Sequence, residues 1–291
     1  MTPIALVFVL LAALLHATWN YLAKKSRDKL AFLWLFIIAA MIIYFVPFVY
    51  WLRSHHIPTD GWIYIFATGL IHAFYFWFLG AAYERGDLST VYPIARGTAP
   101  VLVPFLAAGW LREFPSLLGA CGIGLVALGI YTINLPDFSW GGIWQAWRAM
   151  RHGPVRLSFS TGVMTTLYTV VDKRGVQFVN PFIYIYLMFV LSVLFLTPWM
   201  LLRKRKELRR EWLTNKRTIG LVGVMCLGTY LLILSAMATP SKVSYIAAGR
   251  EASILFSALF GILLLKELRG RQKIVGAIVI VFGLVCIALA K

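Results

Sequence analysis

Apolar residues in this chain fall in long uninterrupted runs, each approaching the length needed to cross a bilayer. A hydrocarbon core about 30 Å thick takes roughly 20 residues of helix, and windows of that size fall at about 3–23, 30–52, 61–82, 88–111, 115–133, 155–172, 181–202, 217–237, 243–265 and 272–290. Ten spans are predicted, and the chain reads as an all-α integral membrane protein with ten transmembrane helices. Strands of about ten residues alternating lipid-facing and lumen-facing side chains, the mark of a membrane β-barrel, do not occur. The longest internal connection, 134–154, separates a five-helix first half (1–133) from a five-helix second half (155–291), and its Trp140, Trp144 and Trp147 suit a bilayer surface.

The two halves repeat each other. A shift of 154 positions carries Arg96 onto Arg250, Leu111 onto Leu265, Glu113 onto Glu267, Gly122 onto Gly276 and Gly129 onto Gly283. A shift of 149 carries His16 to Lys25 onto Thr165 to Arg174, matching Lys24 with Lys173. Because each half holds an odd number of helices, the second half enters the membrane from the opposite side, so the repeat is inverted, an arrangement typical of secondary transporters.

Composition agrees with the pattern. The chain of 291 residues is 60% hydrophobic and only 13% charged, with 28 Lys and Arg against 11 Asp and Glu, a net charge of +17. A pI near 10.1 suggests nucleic acid at first sight, but the basic residues lie in short runs between apolar spans, with no basic fold to occupy. They act as orientation signals instead. Connections after odd-numbered spans hold about 20 Lys and Arg against about six elsewhere, which places the richer set in the cytoplasm and both termini outside. The basic stretch Arg203 to Arg210 reads as a solvated anchor. Cys121, Cys226 and Cys286 all lie in apolar spans without metal-ligand spacing, so neither a disulfide nor a metal is assigned, and no cofactor. Met-Thr-Pro at the start lacks a basic leader region, so the first span is expected to stay.

Candidate chemistry sits inside the spans. Arg96 lies roughly 12 Å deep in the fourth span and Arg250 roughly 11 Å deep in the ninth, from opposite faces, so the guanidiniums approach the midplane together. An intramembrane charge costs at least about 2.5 kcal/mol unless it faces a partner or a wet cavity. The structural alternative is a buried tether, with Arg250 paired to a carboxylate such as Glu251. Tyr92 lies one turn from Arg96, and Ser253 and Ser257 share a stripe with Arg250. The first span offers His16, Trp19 and Asn20 on one face, and the sixth offers Thr161, Thr165, Tyr168 and Asp172. An isolated polar residue of this kind often satisfies only its own helix, but repeat-matched stripes point to a cavity wall. In the third span His72, Tyr75 and Tyr83 share a face, and Tyr75 alone is taken as a site residue. The expected substrate-binding set is His16, Trp19, Asn20, Tyr75, Tyr92, Arg96, Tyr168, Arg250 and Glu251. Glu113 and Glu267 are read as helix-end carboxylates, and Gly119, Gly122, Gly124 and Gly129 as a close-packing surface.

The two inverted five-helix halves, Leu15 to Asn20, Tyr92 to Pro100, Arg250 to Ser253, and the acidic residues Glu113 and Glu267 resemble the EamA branch of the drug/metabolite transporter superfamily over nearly the whole chain. The resemblance implies a central cavity lined by both halves, an inner-membrane multi-pass protein, and a seam near spans five and ten, as a monomer or a homodimer. The branch includes exporters of amino acids and other metabolites, so export is the expected direction. Unlike the related four-helix multidrug exporters, the first span has no glutamate, which disfavours lipophilic cations. Two arginines with one carboxylate suit a small carboxylate-bearing metabolite, an amino acid first, with phosphonates or phosphorylated anions as the alternative. A proton is the default coupling ion, with His16, His72 and Glu251 as carriers. An intramembrane enzyme and an assembly subunit are the other classes considered; no HExxH, Walker or paired-Asp motif supports an enzyme.

Overall fold

The computed structural model describes residues 1–23, 26–86, 88–133, 153–264 and 271–290, with the side chains of 88–90, 92–93, 258 and 261–264 also excluded. The Tyr92 side chain, Lys24, Lys25, Glu267 and the connection bearing Trp140, Trp144 and Trp147 therefore lie outside the described residues. Among the described residues the chain is helical throughout, without strands: α1 (Pro3–Ala23), α2 (Lys29–Ile43), α3 (Phe45–Ser54), α4 (Thr59–Arg85), α5 (Leu88–Leu106), α6 (Leu117–Ile133), α7 (Gly153–Gly175), α8 (Pro181–Arg203), α9 (Arg205–Met237), α10 (Val243–Gly249), α11 (Ala252–Leu264) and α12 (Arg271–Leu289).

Among the described residues six helical stretches are long and apolar enough to cross a membrane: Pro3–Ala23, Thr59–Arg85, Ile94–Leu111, Pro181–Arg203, Arg205–Met237 and Arg271–Leu289. The pair α2 and α3, bent by 57°, makes a seventh if it is one span. Pro47 accounts for the bend, since it cannot donate to the carbonyl of Ile43 one turn back. Helix starts follow local chemistry. The Asp28 side chain accepts from the Ala31 amide at 2.9 Å and caps α2, while Asn180 caps α8 ahead of Pro181. Through Pro100 and Pro104 α5 stays continuous, then widens into a π-turn at Ala107–Leu111 and stops at Arg112, which is left-handed with φ 56°.

The helices that fall short do so for physical reasons. In α7, Thr161, Thr165, Tyr168, Thr169, Asp172 and Lys173 interrupt the apolar run, yet it lies among other helices, packed mainly on α4 and α5. Its threonines return their hydroxyls to their own helix, Thr161 to the Leu157 carbonyl, Thr165 to Thr161 and Thr169 to Thr165, at 2.6 to 3.0 Å. The ninth predicted window is divided: α10 and α11 are separated by Arg250 and Glu251, where bonding tightens to i→i+3 contacts.

α6 and α12 form the most extensive pairing, followed by α4 with α7 and α1 with α9. The α6 and α12 backbones nearly touch: a Cβ at Gly122 would meet the Gly283 carbonyl at 2.7 Å, and one at Gly129 would meet the Gly276 carbonyl at 2.7 Å. These four glycines are the repeat-matched ones, so the expected close packing here joins the two halves within one chain. Gly124 faces open space instead.

In the basic stretch after α8, Arg203, Arg205, Lys206, Arg209 and Arg210 are exposed, as a solvated anchor requires, while Lys204 and the following Glu211 are tied down. The stretch forms the first turns of α9, kinked at Asn215, and is fastened to the loop before α2. Glu211, 1% exposed, accepts from the amides of Arg27 and Asp28 at 2.8 and 2.9 Å, and Lys204 donates to Asp28 and Glu84 at 2.8 and 2.6 Å.

Candidate functional site

A cavity of about 190 Å³ lies between the halves, with α1, α2, α4, α5, α7, α8, α9 and the α10–α11 junction all contributing to its wall. It extends to Ser26, Lys29 and Tyr83, on the face that carries Lys204 and Glu211. At the opposite face the structure is tied shut. Thr2 donates from its amide to Ser241 Oγ at 3.0 Å, Lys173 Nζ donates to the carbonyls of Met237, Thr239 and Ser241 at 2.7 to 3.0 Å, and Glu113 Oε2 accepts from the Val243 amide at 2.6 Å. Glu113 is thus a helix-end carboxylate as expected, but it caps α10 and not the α6 that follows it, because the left-handed Arg112 turns the chain that way.

Eight of the nine expected site residues line this cavity: His16, Trp19, Asn20, Tyr75, Arg96, Tyr168, Arg250 and Glu251. The ninth is Tyr92, whose side chain is outside the described residues. Helical spacing puts His16, Trp19 and Asn20 together on α1; the His16 and Trp19 rings meet edge to face at 4.8 Å, and Asn20 Nδ2 donates to the His16 carbonyl at 2.7 Å.

The arginines have different partners. Arg96 Nη2 donates to Ser253 Oγ at 2.9 Å and its Nε lies 3.8 Å from Glu251 Oε2. Arg250 Nη2 donates to Tyr168 OH at 3.3 Å, with the guanidinium carbon 5.9 Å from that ring's centre. Glu251 therefore neighbours the arginine of the other half and does not tether Arg250. Of the stripe Arg250, Ser253 and Ser257, the break after Gly249 leaves Ser253 buried against Arg96 and Ser257 exposed.

The buried polar atoms at this cavity that make no hydrogen bond among the described residues include Trp19 Nε1, a donor, and Glu251 Oε2, an acceptor whose charge faces Arg96 Nε at 3.8 Å. Buried polar groups are normally satisfied, so this donor and this acceptor mark where a ligand with both functions gains hydrogen bonds.

Sequence reasoning left out a second group of residues in this wall. His72 stacks on Tyr168 with ring centres 4.1 Å apart, and Tyr230 of α9 bonds His72 Nε2 at 3.0 Å. Beyond them, Asp172 is completely buried. His72 and Asp172 were visible as members of polar stripes, whereas Tyr230 stands alone in an apolar run.

Residues 3–135 and 155–289 each match the family profile described as EamA-like transporter family. No curated protein sequence matches the chain. Among solved structures, a protein crystal structure superposes with a TM-score of 0.75 at 14% identity, covering 98% of each chain, which shows the shared fold.

Proposed function

We propose, because the chain belongs to the EamA-like transporter family, that this membrane transporter moves small carboxylate-bearing metabolites, amino acids foremost, by alternating access. In this reading ten spans form two inverted five-helix repeats in an inner membrane, with the bent α2–α3 pair, the short α6, the polar α7 and the divided α10–α11 counted as spans. The direction is export, as in much of the family. The observation that carries the substrate class is that a buried donor without a hydrogen bond, Trp19 Nε1, and a buried carboxylate oxygen without one, Glu251 Oε2, line the same cavity as Arg96 and Arg250.

A zwitterion satisfies that set. Its carboxylate takes the guanidiniums and the indole N–H, and its ammonium gives Glu251 a hydrogen bond. A phosphonate or phosphorylated anion would use the arginines but leave Glu251 facing a like charge. Arg96, Arg250 and Glu251 sum to one positive charge, which suits a cargo with at most a single net negative charge. The cavity, at about 190 Å³, also falls below the roughly 300 Å³ at which drug-sized pockets begin.

Thermal unfolding of the purified protein tests the reading. Millimolar leucine raises the midpoint and tetraphenylphosphonium leaves it unchanged; stabilisation by the lipophilic cation, with no response to any amino acid, organic acid or phosphonate, refutes it.

A further inference from the structure

Asp172 carries a charge that the binding of cargo does not use. Its two oxygens accept three hydroxyl hydrogen bonds: Thr68 Oγ1 at 2.6 Å and Tyr184 OH at 3.0 Å on Oδ1, and Tyr230 OH at 2.6 Å on Oδ2. Among the described residues no Lys or Arg nitrogen forms an ion pair with it. Lys173, next in the chain, points to the carbonyls at the end of α9, and Arg250 is given to Tyr168. The groups facing Asp172 are Thr68 of α4, Tyr184 of α8 and Tyr230 of α9, with His72 of α4 beyond Tyr230 and Arg250 as the cation whose charge reaches it. A buried carboxylate whose hydrogen bonds all come from neutral hydroxyls is a candidate to gain and lose a proton.

The hydrogen positions on the Oδ2 side allow such a change. His72 Nδ1 lies 2.9 Å from the Thr68 carbonyl, which can only accept, so Nδ1 bears the imidazole hydrogen and Nε2 is an acceptor. Tyr230 then has one hydroxyl hydrogen and two acceptors, Asp172 Oδ2 at 2.6 Å and His72 Nε2 at 3.0 Å. With Asp172 ionised, the hydrogen points to Oδ2. When a proton arrives on Oδ2, Asp172 donates to the Tyr230 oxygen and the Tyr230 hydrogen swings to His72 Nε2. The two states differ by one proton: with Asp172 ionised His72 Nε2 is left without a donor, and with Asp172 protonated that nitrogen gains the Tyr230 hydrogen.

The switch also reaches the cargo. His72 and Tyr230 line the cavity, which supplies the proton's path, and the His72 ring lies on Tyr168, the partner of Arg250. We infer that Asp172, with Tyr230 and His72, is the proton-binding site that couples cargo movement to proton movement. This inference rests on the transporter reading for its purpose but not for its chemistry.

The full-length protein in lipid vesicles tests it by two measurements. Infrared spectra taken from about pH 4 to 9, spanning carboxyl and imidazole titration, should show a protonated-carboxyl C=O band that titrates. The band should vanish in Asp172→Asn, persist in Glu251→Gln, and persist at a changed frequency in Tyr230→Phe, which keeps the carboxyl but removes the switching hydroxyl. In sodium-free vesicles loaded with labelled leucine, a gradient of about one pH unit should drive about tenfold redistribution at one proton per cargo, and Asp172→Asn should abolish the response. A titrating Asp172 band without leucine movement sinks the substrate reading and leaves the proton site standing. Leucine movement indifferent to the pH gradient, or driven by sodium in its place, overturns the proton site, as does an Asp172→Asn spectrum identical to the wild type.

Discussion

Lys173 Nζ stands 4.0 Å from Glu113 Oε1, and each residue secures a different helix end: the lysine binds the last carbonyls of α9, the glutamate the first amide of α10. The pair therefore bridges the halves on the face that is tied shut. Replacing Lys173 with Met leaves three carbonyl contacts without their cation and should cost about 1.5–3 kcal/mol, while Glu113→Gln keeps an acceptor for the Val243 amide and should cost about 1 kcal/mol. Thermal melts of the two variants check this ordering; equal losses would contradict it.

The two arginines are expected to matter to cargo more than to folding. Arg96→Ala and Arg250→Ala should each weaken leucine binding by about 10- to 150-fold, the equivalent of one charged hydrogen bond of about 1.5–3 kcal/mol. Lys at either position should rescue poorly because it lacks the planar fork. Ligand-dependent melts measure this, with retention of a single gel-filtration peak as the folding control. Normal binding in both Ala variants would remove the arginines from the site.

Two glycines of α6 should respond with opposite signs. Gly129→Ala places a methyl group 2.7 Å from the Gly276 carbonyl and 2.6 Å from Ile280 Cγ1, so it should destabilise by about 1–3 kcal/mol. Gly124→Ala meets nothing within 4 Å and should gain up to about 1 kcal/mol of helix propensity. Comparing their midpoints in one detergent decides the matter.

Lys204 links stability to pH in a defined window. Partial burial works against its charge, but the hydrogen bonds and negative charges of Asp28 and Glu84 outweigh it and hold the ammonium above the ordinary lysine range. A folded-state value raised in this way means the contribution is whole below the ordinary value of 10.5 and fades only as pH climbs past it. Lys204→Met should therefore cost about 0.2–1 kcal/mol, equally at about pH 6 and pH 9, and less in high salt. A loss that disappears between those two pH values would be inconsistent with this picture.

Orientation follows from loop charge. With native cysteines removed, Arg209→Cys should resist an impermeant thiol reagent in intact cells, whereas Ser54→Cys, exposed at the end of α3, should react. The reverse pattern inverts the topology and leaves the repeat untouched.

Membrane character was legible because runs of roughly 20 apolar residues leave few alternatives, but the break at Tyr44, the start of α9 at Arg205 and the division at Arg250 were not. The repeat exposed Arg96 and Arg250 because an intramembrane charge is costly enough to stand out in a single sequence. What stayed hidden depends on where side chains turn. Glu251 was read beside Arg250, but the tightened turn after Gly249 sends it to Arg96. Tyr230 gave no signal, since one tyrosine in an apolar helix looks like packing until three helices bring it against Asp172 and His72. The stretch Arg203 to Arg210 is largely exposed, as its charge predicts, whereas the bonds of Glu211 to the amides of Arg27 and Asp28 depend on contacts far apart in sequence.

The glycine contacts between α6 and α12 leave no gap into which either helix could slide. Such a joint is a fulcrum: if the halves tilt, displacement is least there and grows with distance, as along a lever arm. Spin labels on the lipid-facing sides of α6 and α12, at Leu128 and Phe282, should keep one separation under every ionic and cargo condition. Labels at Ser54 and Arg209, at opposite ends of the molecule, would carry any signal of motion. Under the proposed alternating access, the two halves would change their tilt without coming apart at this joint.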